Sequence, residues 1–212
     1  MVAVRYQTAF RLYPYEKVAD QDKDTPVRHP VVIVGGGPIG MALALDLGRR
    51  GIRCLVLDDH DGVGMGSRAI CFAKRTLEIC DRLGCGDAMV EKGVVWNRGR
   101  VFRDEKEIYS FNLLPEEGHK RPAFINLQQP YFEQFIVEEI RRQQAAGTPI
   151  EIRGQNRVTA MVRKKDHVLL EVETPDGPYV VEADYLVACD GAGSPILSLI
   201  HISEPTRRRL ES

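Results

Sequence analysis

Apolar positions in this chain fall into unbroken runs, helical stripes and alternating stretches, and their order predicts an α/β fold. Val31 to Val34 is an uninterrupted β-favouring run, the mark of a buried strand. Ile39, Leu43 and Leu47 then recur at helical spacing, Arg49 and Arg50 close that helix, and Gly51 stops it. A second run, Cys54 to Leu57, ends in Asp58. A helix is predicted from about Ala69 to Leu83, with Leu77, Cys80 and Leu83 facing inward and Gly84 as its end. GVVWNRGRVF and KEIYSFNLL flank the polar RDEKE and read as a hairpin, with Trp96 in its first strand packed in a core or at an edge. A short strand, Phe124 to Leu127, leads into a helix with Pro130 in its first turn, a stripe of Phe132, Ile136 and Ile140, and a stop at Gly147. Residues 149–182 read as a β-meander of PIEIRG, RVTAMVRK, HVLLEVET and YVVEA. Tyr185 to Cys189 is a last buried strand running into Asp190–Gly191. Residues 1–30 are polar and mixed, a lead-in that is either a partly ordered tail or a strap packed over the domain or at a subunit contact.

Bulk properties narrow the class. A chain of 212 residues forms one large or two small domains. Its 29 basic and 30 acidic residues leave a net charge of −1, which argues against nucleic-acid or membrane-surface partners. No apolar run is long enough to span a bilayer, and the N-terminus lacks a secretory apolar stretch. Five cysteines without a C-x-x-C pair predict reduced thiols and a cytoplasmic protein. Five scattered histidines predict no metal site.

The chemistry lies where the first run meets its helix. Gly35, Gly37 and Gly40 form G-x-G-x-x-G in the strand–turn–helix context that a dinucleotide-binding motif needs. Gly35 turns the chain out of the strand, Gly37 lets a pyrophosphate approach the backbone, and Gly40 brings the helix onto the sheet. Pro38 and Ile39 stand at the helix start, where unpaired N–H groups and the positive dipole end attract an anion. Asp58, with Asp59 beside it, is placed to accept the adenosine ribose hydroxyls and to disfavour a 2′-phosphate. Ala44 and Gly51 extend the motif toward the pattern of FAD-binding rather than NAD-binding proteins. Asp190–Gly191 is a second candidate contact, either a turn or a cofactor-binding element. Arg68 is either solvated or a cation near the cofactor, and Gln128 and Gln129 sit at a strand–helix junction within reach of a ligand. Ser67 and Ser194 have no neighbouring histidine and acid, so no catalytic residue is assigned.

Together these pieces resemble the class A flavoprotein monooxygenases, the single-component aromatic hydroxylases. The resemblance rests on the extended glycine pattern ending at Asp58, on GSRAICFAKRTLEICDRLG, on NLQQPYFEQF and on YLVACDGAGSPI, and covers about residues 30–196. The branch of 3-(3-hydroxyphenyl)propionate hydroxylase and pentachlorophenol monooxygenase is the most similar. The resemblance implies a Rossmann-like FAD-binding parallel sheet of the GR2 type with a β-meander. It also implies FAD contacts at Gly35, Gly37, Pro38, Ile39, Gly40, Asp58, Asp59, Arg68, Gln129, Val158, Asp190 and Gly191. It implies NAD(P)H as co-substrate, O₂ and a small aromatic substrate as partners, oxygen transfer from a flavin C4a-hydroperoxide, and room for a homodimer at full length. Two alternatives stay open: another FAD oxidoreductase of the same fold group, such as an amine oxidase or halogenase, and a non-catalytic nucleotide-binding module.

One departure stands out. The family's Asp-Gly motif continues to an arginine two residues after the proline, and here that position is Leu197. LSLIHISEPTR, Leu197 to Arg207, is what one frame of a common transposase sequencing adapter encodes. The expected organisation is therefore an N-terminal extension (1–30), a partial FAD-binding domain with part of the substrate-side sheet (31–196) and an adapter-encoded tail (197–212). Truncation before the substrate domain is complete would leave apolar edges unpaired and the fragment inactive. Resequencing the source DNA is expected to show a different continuation after codon 196. The same codons recovered from an independent library would refute the adapter origin.

Overall fold

The computed structural model describes residues 12–63, 69–194 and 196. The chain divides into two compact units, residues 1–64 with 140–212, and residues 65–139. In order, a 3₁₀ turn (Ala19–Asp22) precedes β1 (Val27–Val34), α1 (Pro38–Arg49), β2 (Cys54–Leu57), β3 (Cys71–Ala73), α2 (Lys74–Leu83) and α3 (Gly86–Lys92). These are followed by β4 (Val94–Trp96), β5 (Arg98–Arg103), β6 (Lys106–Asn112), β7 (Phe124–Asn126), α4 (Gln129–Ala145), β8 (Ile150–Arg153), β9 (Arg157–Arg163), β10 (Val168–Glu173) and β11 (Tyr179–Ala188).

The first unit is built on a six-stranded sheet in the order β8-β2-β1-β11-β10-β9. β8, β2, β1 and β11 run parallel, while β10 and β9 return antiparallel. β2 is buried at all four positions and β1 at its last four, as expected of parallel strands covered on both faces. Val32, Val34, Leu55, Leu57, Leu170, Val172 and Val181 form the core on one face. α1 packs against β1 and β2. Its buried side is Gly40, Met41, Ala44, Leu45 and Gly48, not the Ile39–Leu43–Leu47 stripe; Ile39 is 71% exposed. The small residues lie inward because they let the helix sit close: a Cβ on Gly48 would come 2.5 Å from the Ile150 side chain.

The structure revises several sequence-based expectations here. β1 starts at Val27, four residues early, and the register passes over Pro30, which has no N–H to give. PIEIRG is not a meander strand: β8 extends the parallel sheet beyond β2. YVVEA and YLVAC are one strand, β11, bridging β1 and β10. Its outer residues are not buried, and Tyr185 is 72% exposed.

The second unit holds a three-stranded sheet, β3-β7-β4, and the two-stranded β5–β6 hairpin. The helix expected from Ala69 begins only at Lys74, because Cys71–Ala73 pair with Phe124–Asn126 instead. Leu77, Cys80 and Leu83 face inward as expected, and Gly84 adopts the left-handed cap. The hairpin is β5–β6, turning at Asp104 with positive φ; β4 leaves it to pair with β7. Trp96 lies on that edge strand, stacked on Phe124 at 5.0 Å and donating to Asn126 Oδ1. Buried Arg121 bridges Asp81 and Asp87 between the ends of α2 and α3. The five cysteines are free; Cys54, Cys80 and Cys85 are buried. Among the described residues no helix is long and apolar enough to cross a membrane.

Candidate functional site

The site forms at the carboxyl ends of the parallel strands, where β1 leads to α1 on one side and borders β11 on the other. Open α/β sheets place ligands at such a switch point. At the end of β1, Gly35 turns with φ +105°, a conformation that favours glycine, and its N–H donates to the Leu57 carbonyl at 2.8 Å. The Cys189 N–H donates to the Val34 carbonyl at 2.7 Å, which draws the end of β11 against the turn. A Cβ on Gly35 would collide with the Cys189 carbonyl and lie 2.8 Å from the Asp190 nitrogen. A Cβ on Gly40 would collide with the Gly35 carbonyl. Two of the three motif glycines are therefore required by backbone packed on backbone.

Gly37 differs. It is the N-cap of α1, with Pro38 at the first helical position and extended backbone angles that any residue can adopt. A Cβ there would meet nothing within 4 Å. The space in front of Gly37 opens at the positive end of the helix dipole, which favours an anion. Ile39, in the same first turn, is exposed and leaves this end uncovered.

Asp58 supplies the opposite wall. The residue is 8% exposed and its carboxylate points at the glycine loop. Oδ2 accepts the Gly36 N–H, and Oδ1 accepts the His60 N–H at 2.8 Å. Burial pushes the Asp58 carboxyl above the usual aspartate range, and the two backbone donors only partly offset it. A carboxylate has about four lone-pair directions, so two donors leave it capacity for more. Asp59 is exposed and pairs with the His60 Nδ1 at 2.5 Å. The Asn156 N–H donates to the Asp58 carbonyl at 2.7 Å, fixing the main chain behind the carboxylate. Two residues on, Val158 turns its side chain into the core, so only its main chain on edge strand β9 can face a ligand. Asp190 stands two residues past the end of β11, its Oδ2 accepting the Ile196 N–H at 3.3 Å, and Gly191 has φ +86°.

The structure thus brings Gly35, Gly37, Pro38, Ile39, Gly40, Asp58, Asp59, Asp190 and Gly191 to one sheet end in the first unit; Val158 is in the same unit, but its register through β10 aligns it with Tyr179 at the start of β11. Gln129 belongs to the second unit, where it opens α4 and donates to Glu133 at 2.5 Å. Arg68 lies outside the described residues, as do residues 197–212. Sequence reasoning missed Gly36, whose N–H fastens Asp58, and Tyr13, whose hydroxyl reaches the Gly36 carbonyl at 3.2 Å. The second glycine in the Gly35–Gly36–Gly37 triplet was a usable signal for the first; nothing local marked Tyr13.

Residues 28–211 match the description "FAD binding domain". The chain belongs to that FAD-binding family. The match runs past Leu197 into the segment read above as adapter-encoded. A 12-dehydrotetracycline 5-monooxygenase/anhydrotetracycline 6-monooxygenase of Streptomyces rimosus is 33% identical over 84% of this chain and 34% of its own length. A 3-(3-hydroxy-phenyl)propionate/3-hydroxycinnamic acid hydroxylase of Mycolicibacterium smegmatis is 27% identical over 85% of this chain and 31% of its own. The crystal structure of a p-nitrophenol 4-monooxygenase from Pseudomonas putida DLL-E4 superposes with a TM-score of 0.75 at 28% identity, over 83% of this chain and 44% of that one. The chain therefore spans about a third of the curated relatives' length. The relatives named here are monooxygenases and a hydroxylase.

Two substitutions separate packing glycines from open ones. Gly40→Ala is expected to destabilise the chain by about 1–3 kcal/mol, the usual cost of forcing an atom into a packed site. Gly37→Ala, with no neighbour to strike, is expected to change stability by less than about 0.5 kcal/mol. Denaturant midpoints of the two variants check this; equal losses would contradict the assignment.

Proposed function

We propose that this chain is the FAD-binding portion of an NAD(P)H- and O₂-dependent monooxygenase that hydroxylates a phenolic or related aromatic small molecule. The observation that carries the reading is the open space before Gly37, bounded by a helix N-terminus and by an anchored carboxylate that still has acceptor capacity. Family membership supports FAD as the occupant, and the named relatives support an aromatic substrate class.

Each residue then has a task. The Gly37 and Ile39 N–H groups meet the pyrophosphate, since Pro38 has none to offer. Gly35 and Gly40 hold the turn against the end of β11 so that this approach stays open. Asp58 accepts the adenosine ribose hydroxyls, with Asp59 at the rim, and the Val158 main chain borders the adenine side. Asp190 and Gly191 form the second wall, while Arg68 and Gln129 serve the flavin side by family resemblance. When bound, FAD supplies the redox and oxygen-transfer chemistry, with NAD(P)H as electron donor; the chain's own residues bind and orient it. The 212-residue chain lacks the greater part of its relatives' length. By itself it binds FAD weakly and does not turn over substrate, and the full-length protein works in the cytoplasm, with room to pair as a homodimer.

The pH dependence follows from Asp58. Its folded pKa is raised, so the ligand-free fold holds that proton more tightly than the unfolded chain. This contribution to stability is complete below the ordinary aspartate pKa and is lost as pH rises through the folded value. Ribose hydroxyls favour the ionised form, so FAD affinity is expected to fall as pH drops through that same value. Asp58→Asn is expected to weaken FAD by about 1.5–3 kcal/mol at neutral pH and to flatten the acid limb. Flavin-fluorescence titrations across pH check both. Unchanged affinity in the variant would contradict the role given to Asp58, and a chain purifying with stoichiometric flavin and substrate-stimulated NAD(P)H oxidation would contradict the inactivity of the 212-residue chain.

A further inference from the structure

The lead-in is part of the site. Leu12 and Tyr13 are buried ahead of β1, and the segment they start is fastened at both ends. At one end the Tyr13 N–H donates to the Asp61 carbonyl at 3.1 Å, and Arg141 donates to the Leu12 carbonyl. The Tyr13 carbonyl presses on Gly154 so closely that a Cβ there would collide with it. At the other end Asp20 accepts from Arg153 Nη2 at 2.6 Å and contacts His29 Nε2 at 3.2 Å. Burial opposes ionisation of Asp20, but Arg153 and His29 outweigh it and hold its carboxyl below the usual range. From Arg153 a buried chain of bonds continues through the Tyr179 hydroxyl to Asn156, whose N–H holds the Asp58 carbonyl.

The Tyr13 hydroxyl has one proton and two carbonyls in reach, Gly36 at 3.2 Å and Gly62 at 2.9 Å. Shared between the two carbonyls, that proton ties the glycine loop to the loop that follows Asp58. In a trans peptide the carbonyl and the next N–H lie in one plane and point in opposite directions. Holding the Gly36 carbonyl on Tyr13 thus aims the Gly37 N–H away from the strap, at the open end of α1. The Gly36 N–H is held by Asp58 on the other side. Both polar groups of Gly36 are fixed from outside the motif.

We propose that residues 12–22 are a strap that pre-orders the nucleotide cradle, and that Tyr13 is a positioning residue which sets the Gly36–Gly37 peptide plane for a nucleoside diphosphate. This rests on the reading of the site as an FAD cradle. Ligand binding then needs no reordering of the loop, and affinity gains what that ordering would have cost.

The test compares Tyr13→Phe with Tyr109→Phe in the 212-residue chain. Tyr109 is exposed on β6 in the second unit, outside the strap and the glycine loop. Binding of FAD and of ADP is measured by titration, and hydrogen exchange at the Gly36 and Ile33 amides is measured without ligand; the Gly36 N–H is the bonded amide of the loop. Tyr13→Phe is expected to weaken both nucleotides about five- to tenfold, the worth of one hydrogen bond. It is also expected to speed exchange at Gly36 but not at Ile33, with Tyr109→Phe near the native values in every arm. Affinity within twofold of native together with unchanged Gly36 exchange would overturn the proposal. So would a general loss of protection that includes Ile33, which would make Tyr13 a support of the whole fold. No saturable nucleotide binding by the native chain would instead overturn the FAD reading, and the exchange arm then decides the loop-positioning role of Tyr13 by itself.

Discussion

A buried carboxylate fastened to a glycine turn is the constraint on which the candidate site depends. Asp58 is nearly out of water, and burial alone would drive it toward its neutral form. Two main-chain N–H groups, from Gly36 and His60, hold it in place. The same bonds tie the end of β2 to the turn after β1. Two neighbouring strands with independent ends would leave the cradle's walls free to drift. Joined through one side chain, they face each other across a gap set by the chain itself.

Backbone packing does the rest. β11 lies against β1 along its length, so its end meets the turn where Gly35 and Gly40 have no side chains. The absence of Cβ atoms at these positions serves contact within the protein, whereas at Gly37 it preserves access from outside. The motif's three glycines therefore answer two different demands, and a spacing pattern cannot tell them apart. The strap adds a third element, reaching the turn through buried Tyr13 and the back of Asp58 through Arg153, Tyr179 and Asn156.

Much of this was legible in the sequence because it is local. The apolar runs of β1 and β2, the glycine spacing, Pro38 and the acid after β2 occupy one continuous stretch, where periodicity and turn chemistry determine the outcome. The inward stripes of α2 and α4 were legible for the same reason. What escaped was set by partners distant in sequence. PIEIRG looks like any short strand, and only its pairing with β2 makes it part of the parallel sheet. Cys71–Ala73 would continue a helix on local preference, yet β7 claims them as a strand. The inward side of α1 could not be read from the spacing of Ile39, Leu43 and Leu47, because close approach to the sheet selects small residues over large ones. Tyr13 stands 23 residues from Gly36, in a stretch whose polarity suggested a loose lead-in.

The most direct test of the central claim is an amide and side-chain carboxyl NMR titration of the isotope-labelled 212-residue chain with ADP, the nucleotide half that the cradle would hold. The account expects saturable shifts at Gly37, Ile39 and Gly40 and at the Asp58 carboxyl, with β9 and β10 beyond Val158 undisturbed. Saturable binding that leaves the glycine turn and Asp58 unmoved, or shifts confined to another part of the chain, would contradict it.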